Sequence, residues 1–320
     1  MTQKFGRNFD GAKVIGLAVF IAGLVLFASI VKADSNNVNT SVTVTNATPS
    51  ITNLSLNDAT VITVLESTSQ IATTTFTVTD TNGCNTINYV QATVYLASTS
   101  NSGTTCTADD NDCYTEFVTC FATSTDTCDG GLDSSVDYEC GFRLWYIAEA
   151  TDATGDWASS IWSAAATASD GVATTTATNT TELIEVNTLR ALAAGPAIAY
   201  GSLGIGGTSA VATTSATSTG NVIIDVSLQA TLDMCDDYPT CASNYILSTQ
   251  QEYTLATGWS YGAGTDLASS SAGNLNTTLT NPTATTSDPI DFIEWMLQIP
   301  SGTVNTAYTG VNVFTAIAPQ

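Results

Sequence analysis

After Ala33 the sequence shows no apolar repeat of helical period, and its hydrophobic residues instead alternate with polar ones over short runs. The clearest run is Thr75-Phe76-Thr77-Val78-Thr79, which places its apolar side chains on one face of an extended chain. Alternation of this kind is typical of a half-buried β-strand. The turn signal Asp80-Thr81-Asn82-Gly83 follows directly. A chain built in this way is predicted to be all-β.

Short segments rich in Val, Ile and Thr, separated by turn signals, recur along the rest of the chain. The predicted strands are Ser41–Thr45, Ile51–Leu56, Val61–Leu65, Gln70–Thr79, Tyr89–Leu96, Phe142–Ile147, Trp157–Ala168, Glu182–Val186, Leu275–Leu279, Ile290–Ile299 and Tyr308–Ala318. Ala210–Thr219 and Asn221–Leu228 are predicted to form a hairpin around Gly220. Many short strands of this spacing predict two antiparallel β-sandwich domains. We place them at 49–190, with a cysteine-rich insertion, and at 191–320, behind an N-terminal arm at 34–48.

The N-terminal 33 residues have the composition of an export signal. Val14–Val31 is apolar and uncharged, Lys4, Arg7 and Lys13 precede it, and Val31-Lys32-Ala33 fits a signal peptidase site. The alternative is an uncleaved anchor, because these residues as a helix would span about 27 Å, close to a hydrocarbon core of about 30 Å. A type IV pilin helix is disfavoured, since no early glutamate is present. Either main interpretation predicts an extracellular protein, with membrane contact only through Val14–Val31 if it is uncleaved.

Composition excludes several classes of function. The chain carries 6 basic and 29 acidic residues for a net charge of −23, and only Arg143 and Arg190 are basic after Ala33. Binding to nucleic acid needs clusters of Lys and Arg, so we expect none. There is no histidine, which removes His-dependent catalysis and His-bearing zinc sites. We expect no enzyme; a glycosidase ranks as a distant third function, because no carboxylate pair stands out.

An even number of cysteines in an exported chain predicts a disulfide framework. The eight are Cys84, Cys106, Cys113, Cys120, Cys128, Cys140, Cys235 and Cys241. Cys235 and Cys241 are close enough in sequence for a local bridge across a turn. The other six allow 15 connectivities, and the sequence does not choose among them. Zinc is the alternative, but the spacings are wider than the close pairs that zinc sites use.

One acidic loop is a candidate cation site. Asp109, Asp110 and Asp112 lie between Cys106 and Cys113, and carboxylates on a constrained loop can bind Ca²⁺. The loop lacks the glycine and the distal glutamate of an EF-hand. The alternative is a solvated acidic turn. We therefore expect no cofactor, with calcium at this loop as the alternative.

Trp259 and Tyr261 lie in a segment without strand alternation, where exposed aromatic side chains could stack on sugar rings. The alternative is that they pack within their own loop. Trp145 and Trp295 lie in apolar strand segments and are predicted to be core residues.

The segment Asp80–Cys84 with Tyr89–Tyr95 resembles the immunoglobulin-like modules of secreted bacterial surface proteins. The end of the chain, from Trp295 through Ile299-Pro300-Ser301-Gly302-Thr303 to Phe314, resembles the last hairpin of such β-sandwiches. The resemblance covers most of Ser41–Ala318 and implies a secreted, immunoglobulin-like surface protein without an active site. The cysteine-rich insertion and the absence of a Cys…Trp…Cys trio depart from the plain module, which leaves the strand order open.

These observations predict an extracellular structural protein that assembles with copies of itself into a filament or a surface layer. The alternative is an adhesin that binds surface glycans. The assembly element is predicted to be Ser41, Val42, Thr43, Val44 and Thr45, a strand-like stretch of the arm that could pair with a neighbouring copy. The other possibility is that this stretch is the first strand of its own domain.

Overall fold

The computed structural model describes residues 38–97, 106, 108–109, 111–115, 118–123, 128, 133–179, 181–182 and 184–320. The chain divides into two units, Met1–Thr45 and Asn46–Gln320. In the first unit, residues 38–45 belong to no strand, and the side chains of Val42 and Val44 are 87% and 78% exposed. The expectation that Ser41–Thr45 is the first strand of its own domain is therefore wrong.

No helix among the described residues is both long and apolar enough to span a bilayer. The predicted signal or anchor, Val14–Val31, lies outside the described residues, so its assignment stays a prediction.

The described part of the chain is all-β, as the alternation predicts. Its regular structure consists of eighteen strands and three short 3₁₀ turns, the turns being Asn57–Ala59, Cys84–Thr86 and Ser248–Gln250. Every pair of neighbouring strands is antiparallel. We call residues 49–190 the first half and residues 191–320 the second half.

Two four-stranded sheets form the first half. One has the order β1-β2-β6-β5 and the other the order β4-β3-β7-β8. The strands are β1 (Ser50–Leu56), β2 (Ser69–Thr79), β3 (Tyr89–Ala97), β4 (Cys113–Thr115), β5 (Val118–Ala122), β6 (Ser135–Trp145), β7 (Ile161–Ser169) and β8 (Thr174–Thr178).

The two sheets of the first half share one hydrophobic core. Phe76 of β2 and Phe142 of β6 come from one sheet, and Val94 of β3 and Trp162 of β7 come from the other. Alternation along each strand buries every second side chain between the layers. This two-layer arrangement fits a β-sandwich.

Sheets of unequal size form the second half. A five-stranded sheet has the order β15-β14-β17-β10-β9, and a three-stranded sheet has the order β16-β11-β18. The strands are β9 (Leu192–Gly195), β10 (Ala212–Ser218), β11 (Asp225–Ala230), β12 (Met234–Cys235), β13 (Tyr245–Ile246), β14 (Gln251–Thr254), β15 (Thr265–Asp266), β16 (Gly273–Asn274), β17 (Ile290–Leu297) and β18 (Asn312–Ile317). The short strands β12 and β13 pair with each other.

A second core lies between these two sheets. Ile293 and Trp295 of β17 are fully buried, as the alternation of that strand predicts. The ring of Trp295 lies 5.5 Å from that of Tyr253 and 6.1 Å from that of Phe314, centroid to centroid. Phe314 belongs to β18, so these aromatic contacts connect the two layers.

Two predicted hairpins of the second half are wrong. The segments on either side of Gly220 enter different sheets, because β10 pairs with β9 and β17 while β11 pairs with β16 and β18. The resemblance to a last hairpin fails for the same reason, since β17 and β18 also lie in different sheets. Gly220 has another role, because a Cβ there would lie 2.0 Å from the carbonyl oxygen of Leu189.

Asn221 connects the halves next to this close approach. Its side chain is fully buried, and Oδ1 accepts a hydrogen bond from the backbone N–H of Leu189 at 2.7 Å. Nδ2 donates to the carbonyl oxygens of Ala148 at 2.9 Å and Asn187 at 3.1 Å. One buried amide of the second half therefore satisfies three backbone groups of the first half.

Candidate functional site

All eight cysteines are paired, which confirms the predicted disulfide framework. The bridges are Cys84–Cys128, Cys106–Cys113, Cys120–Cys140 and Cys235–Cys241. The last is the local bridge that the sequence predicts, and the first three select one of the 15 connectivities. Four disulfides indicate an oxidising environment of the extracellular type.

The acidic loop has a structural hydrogen-bond pattern of its own. Oδ1 of Asp109 accepts hydrogen bonds from the backbone N–H groups of Asn111 at 3.2 Å and Asp112 at 3.1 Å. Asp110 lies outside the described residues, and within the described part of the chain no three Asp, Glu, Cys or His side chains form a metal-binding group. Calcium binding by Asp109, Asp110 and Asp112 stays a prediction.

Trp259 and Tyr261 both lie in the loop between β14 and β15 and are half-buried. A Cβ at Gly264 would lie 2.5 Å from Cζ3 of Trp259, so the indole ring covers this glycine. The hydroxyl group of Tyr261 donates to the carbonyl oxygen of Gln250 at 3.3 Å. Burial is the main cause of a raised pKa for Tyr261, and the nearby carboxylate of Glu252 adds to it. Their stacking on a sugar stays a prediction.

The sequence did not predict a cavity of about 500 Å³ in the second half, which lies between the segments that contain β9 and β18. We call it the edge groove. Tyr200, Tyr308 and Phe314 supply aromatic surface, and none of the fifteen lining residues carries a charge. One signal could have indicated it, because the sequence has no charged residue at 191–224 or at 295–320.

The polar centre of the edge groove is the amide of Gln251, the first residue of β14. Its side chain is 3% exposed, and Oε1 accepts hydrogen bonds from the hydroxyl group of Tyr200 and from Nδ2 of Asn312, each at 3.0 Å. No described residue accepts a hydrogen bond from its Nε2. Burial raises the pKa of Tyr200 well above its ordinary value, so this hydroxyl group stays a donor. The groove therefore offers apolar surface and neutral hydrogen-bonding groups.

Edge strands border the edge groove on both sides. β9 is the last strand of the five-stranded sheet and β18 is the last strand of the three-stranded sheet. An edge strand presents N–H and C=O groups that no neighbouring strand uses. The unequal size of the two sheets thus coincides with a place where a further strand could pair.

Glu149 is the most perturbed carboxyl group for which a pKa is resolved, and it lies away from the edge groove. It is 4% exposed, and burial raises its pKa to about 7. Asn111 donates to Oε1 at 2.8 Å, and Asn281 donates at 3.3 Å to Oε1 and 3.2 Å to Oε2, which lowers the pKa and limits the shift. This carboxyl group therefore bridges the cysteine-rich insertion and the second half.

Comparison with known protein families and with curated proteins found no match.

Proposed function

We propose that this chain is an extracellular structural protein of the cell surface, which assembles with copies of itself into a filament or a layer. The observation that carries the proposal is the open edge of β18 beside an uncharged groove. The whole chain has a net charge of −23, so two copies repel each other over most of their surfaces. An uncharged region with free backbone groups is where this repulsion is weakest.

The proposal includes secretion and an immunoglobulin-like fold. Four disulfides support an extracellular location, and the predicted signal at residues 1–33 supplies a route to it. Two-layer antiparallel packing in each half supports an immunoglobulin-like sandwich.

The test is the assembly state of the purified protein that begins at Asp34. Light scattering and electron microscopy would follow particle size as protein concentration, salt and Ca²⁺ are raised. We expect ordered polymers, favoured by salt because screening reduces the repulsion between acidic copies. A protein that stays monomeric at high concentration in salt and millimolar Ca²⁺ would contradict the proposal.

A glycan-binding adhesin is the second candidate, and the lining of the edge groove favours it specifically. Aromatic rings next to neutral amides suit an uncharged sugar, whose ring has apolar faces and whose hydroxyl groups need donors and acceptors. Tyr308 and Gln251 are the groups that we expect to contact it.

A glycan array separates the two candidates. The adhesin hypothesis predicts retention of specific neutral glycans, lost on Tyr308→Ala but kept on the same change at the exposed Tyr245, which lies outside the groove. An array with no retained glycan, measured on folded protein, would reject it. Loss of binding on W259A/Y261A instead would place the sugar at the β14–β15 loop.

A further inference from the structure

We propose that the edge groove receives Ser41–Thr45 of a second copy, added as a strand beside β18. This inference rests on the proposed assembly and names its partner segment. The arm contributes the strand, and the second half of the next copy contributes the edge.

The register of β18 determines which of its backbone groups are free. The N–H of Thr231 donates to the carbonyl oxygen of Val311, and Gln229 is the register partner of Val313. Hydrogen-bonded pairs alternate along an antiparallel ladder, so Val313, Thr315 and Ile317 direct their backbone groups toward β11. The N–H and C=O groups of Asn312, Phe314 and Ala316 consequently point to the free edge.

The opposite border of the groove is protected. β9 has four residues, and it is followed directly by Pro196, which has no N–H to donate. Short edge strands and prolines are the usual ways to prevent pairing. β18 has six residues and neither proline nor charge. Of the two borders, β18 is therefore the one that can accept a strand.

The arm matches this edge in length and in charge. Five extended residues span about 17 Å and the six residues of β18 about 20 Å. No charged residue occurs from Ser35 through Asn57, so the arm enters the groove without burying a charge. In a chain of net charge −23, the arm and the edge groove are both uncharged, so these two surfaces can meet without electrostatic repulsion between them.

Alternation fixes which arm residues would face the groove. Val42 and Val44 lie on one face of an extended strand, and Ser41, Thr43 and Thr45 lie on the other. In a paired strand the valines would lie beside the inward-facing residues of β18. Of these, Phe314 contacts Trp295 in the core and Asn312 donates to Gln251. Both valines would thus fill apolar space beside these side chains, while the polar residues remain in solvent.

The root of the arm lies on the first half. Nδ2 of Asn46 donates to Oδ2 of Asp170 at 2.7 Å, and the backbone N–H of Ala47 donates to Oδ1 of Asn82 at 2.6 Å. In the proposed contact, the first half of one copy therefore carries the arm, and the second half of the next copy receives it. Two different surfaces meet head to tail, and repetition of such a contact gives an open filament unless the rotation closes a ring.

The first experiment compares two arm variants of equal charge. Val44→Asp places a carboxylate in the groove, whereas Thr43→Asp places it in solvent. We expect Val44→Asp to raise the critical concentration for assembly at least about tenfold, because burial of an unpaired charge is costly. Thr43→Asp should stay within about twofold of the unmodified protein. Equal effects of the two variants would overturn the inference.

The second experiment changes the receiving edge. Ala316→Pro removes one outward N–H of β18 and leaves its ladder with β11 intact, while Thr178→Pro does the same at the open edge of β8. We expect assembly to be lost only in the first, with near-UV circular dichroism verifying that both variants are folded. Assembly unchanged by Ala316→Pro would contradict the use of β18.

The third experiment separates this inference from the proposed function. A peptide of residues 38–48 is added to the full chain at a concentration where the protein is monomeric, and binding is measured by fluorescence anisotropy. We expect saturable binding, which the same peptide with Val44→Asp does not show and which A316P abolishes. Peptide binding without polymer formation would support the binding of the arm in the groove and contradict assembly into a filament. Polymers formed equally well by V44D and A316P would support assembly and contradict the role of the groove as the contact between copies.

Discussion

The two halves of the molecule differ in how their sheets are matched in strand number and in how many disulfides they carry. The first half has two sheets of four strands and three of the four disulfides, two of which tie β4 and β6 to the segments beside them. The second half has sheets of five and three strands and one short-range disulfide. Its mismatch in strand number coincides with an uncharged groove. The first half is thus the more heavily cross-linked of the two, and the proposed assembly uses it as the support and the edge of β18 in the second half as the receiving surface.

The largest difference is expected from removal of a disulfide in each half. In the loop-entropy description, C84S/C128S, with a sequence separation of 44, loses about 4 kcal/mol of unfolding free energy. C235S/C241S, with a separation of 6, loses about 2 kcal/mol. Urea denaturation of both double variants measures the difference. An equal loss would mean that the stability of the first half depends on its disulfide no more than the stability of the second half depends on its own.

The next prediction tests whether the two halves unfold together. Asn221→Ala removes the side-chain partner of three buried or partly buried backbone groups and should cost about 3 kcal/mol. We also expect one unfolding transition in calorimetry for the unmodified protein and two for the variant, because this amide joins the halves. Asn305→Ala, at an exposed asparagine, is the control and should change neither quantity. Two transitions already present in the unmodified protein would show that the halves are independent.

The third prediction concerns pH at the same junction. The pKa of Glu149 in the folded protein is about 7, above its ordinary value of 4.5, so folding favours the protonated form. The stabilisation is complete below the ordinary pKa and is lost as pH rises through about 7, for a total of up to about 3 kcal/mol. Glu149→Gln should flatten the decrease in melting temperature between pH 5 and 8. The exposed Glu185→Gln removes the same charge and should leave the slope unchanged; equal slopes in all three proteins would contradict the assignment.

The smallest effect is expected from a comparison of the two fully buried tryptophans, one in the core of each half. Nε1 of Trp162 donates to the carbonyl oxygen of Glu149 at 2.9 Å, whereas Nε1 of Trp295 is buried without a partner among the described residues. Trp162→Phe leaves an acceptor unpaired, and Trp295→Phe removes an unsatisfied donor. We expect the first to cost about 1 kcal/mol more than the second in chemical denaturation. The reverse order would show that packing, and not the hydrogen bond, dominates at these sites.

Strands with clean alternation were predictable from the sequence. Gln70–Thr79 and Ile290–Ile299 correspond closely to β2 and β17. A strand that buries one face has an apolar residue at about every second position, and this alternation is visible in the sequence. Within their described residues, the segments Val61–Leu65 and Glu182–Val186 form only isolated bridges, one of them between Ile62 and Val186. A short apolar run shows that a segment is buried, but not that it has a partner over its whole length.

Sheet membership and the raised pKa of Glu149 could not be predicted from the sequence, for a different reason. The segments around Gly220 alternate well, yet they enter separate layers, and nothing local distinguishes a hairpin from a crossing between sheets. Glu149 acquires its raised pKa from burial beside Asn111 and Asn281, which are 38 and 132 residues away. Trp162 was likewise not predicted as a core residue, although it is fully buried.

The position of the arm's root has a mechanical consequence. In the proposed filament, tension would reach each copy at Asn46 and Ala47 and would enter the first half through the backbone leading into β1 and through the contacts with Asp170 and Asn82. Asn82 lies two residues before Cys84, whose bridge to Cys128 closes the longest covalent loop of the chain. Force delivered by a neighbouring copy would therefore be received close to a covalent cross-link.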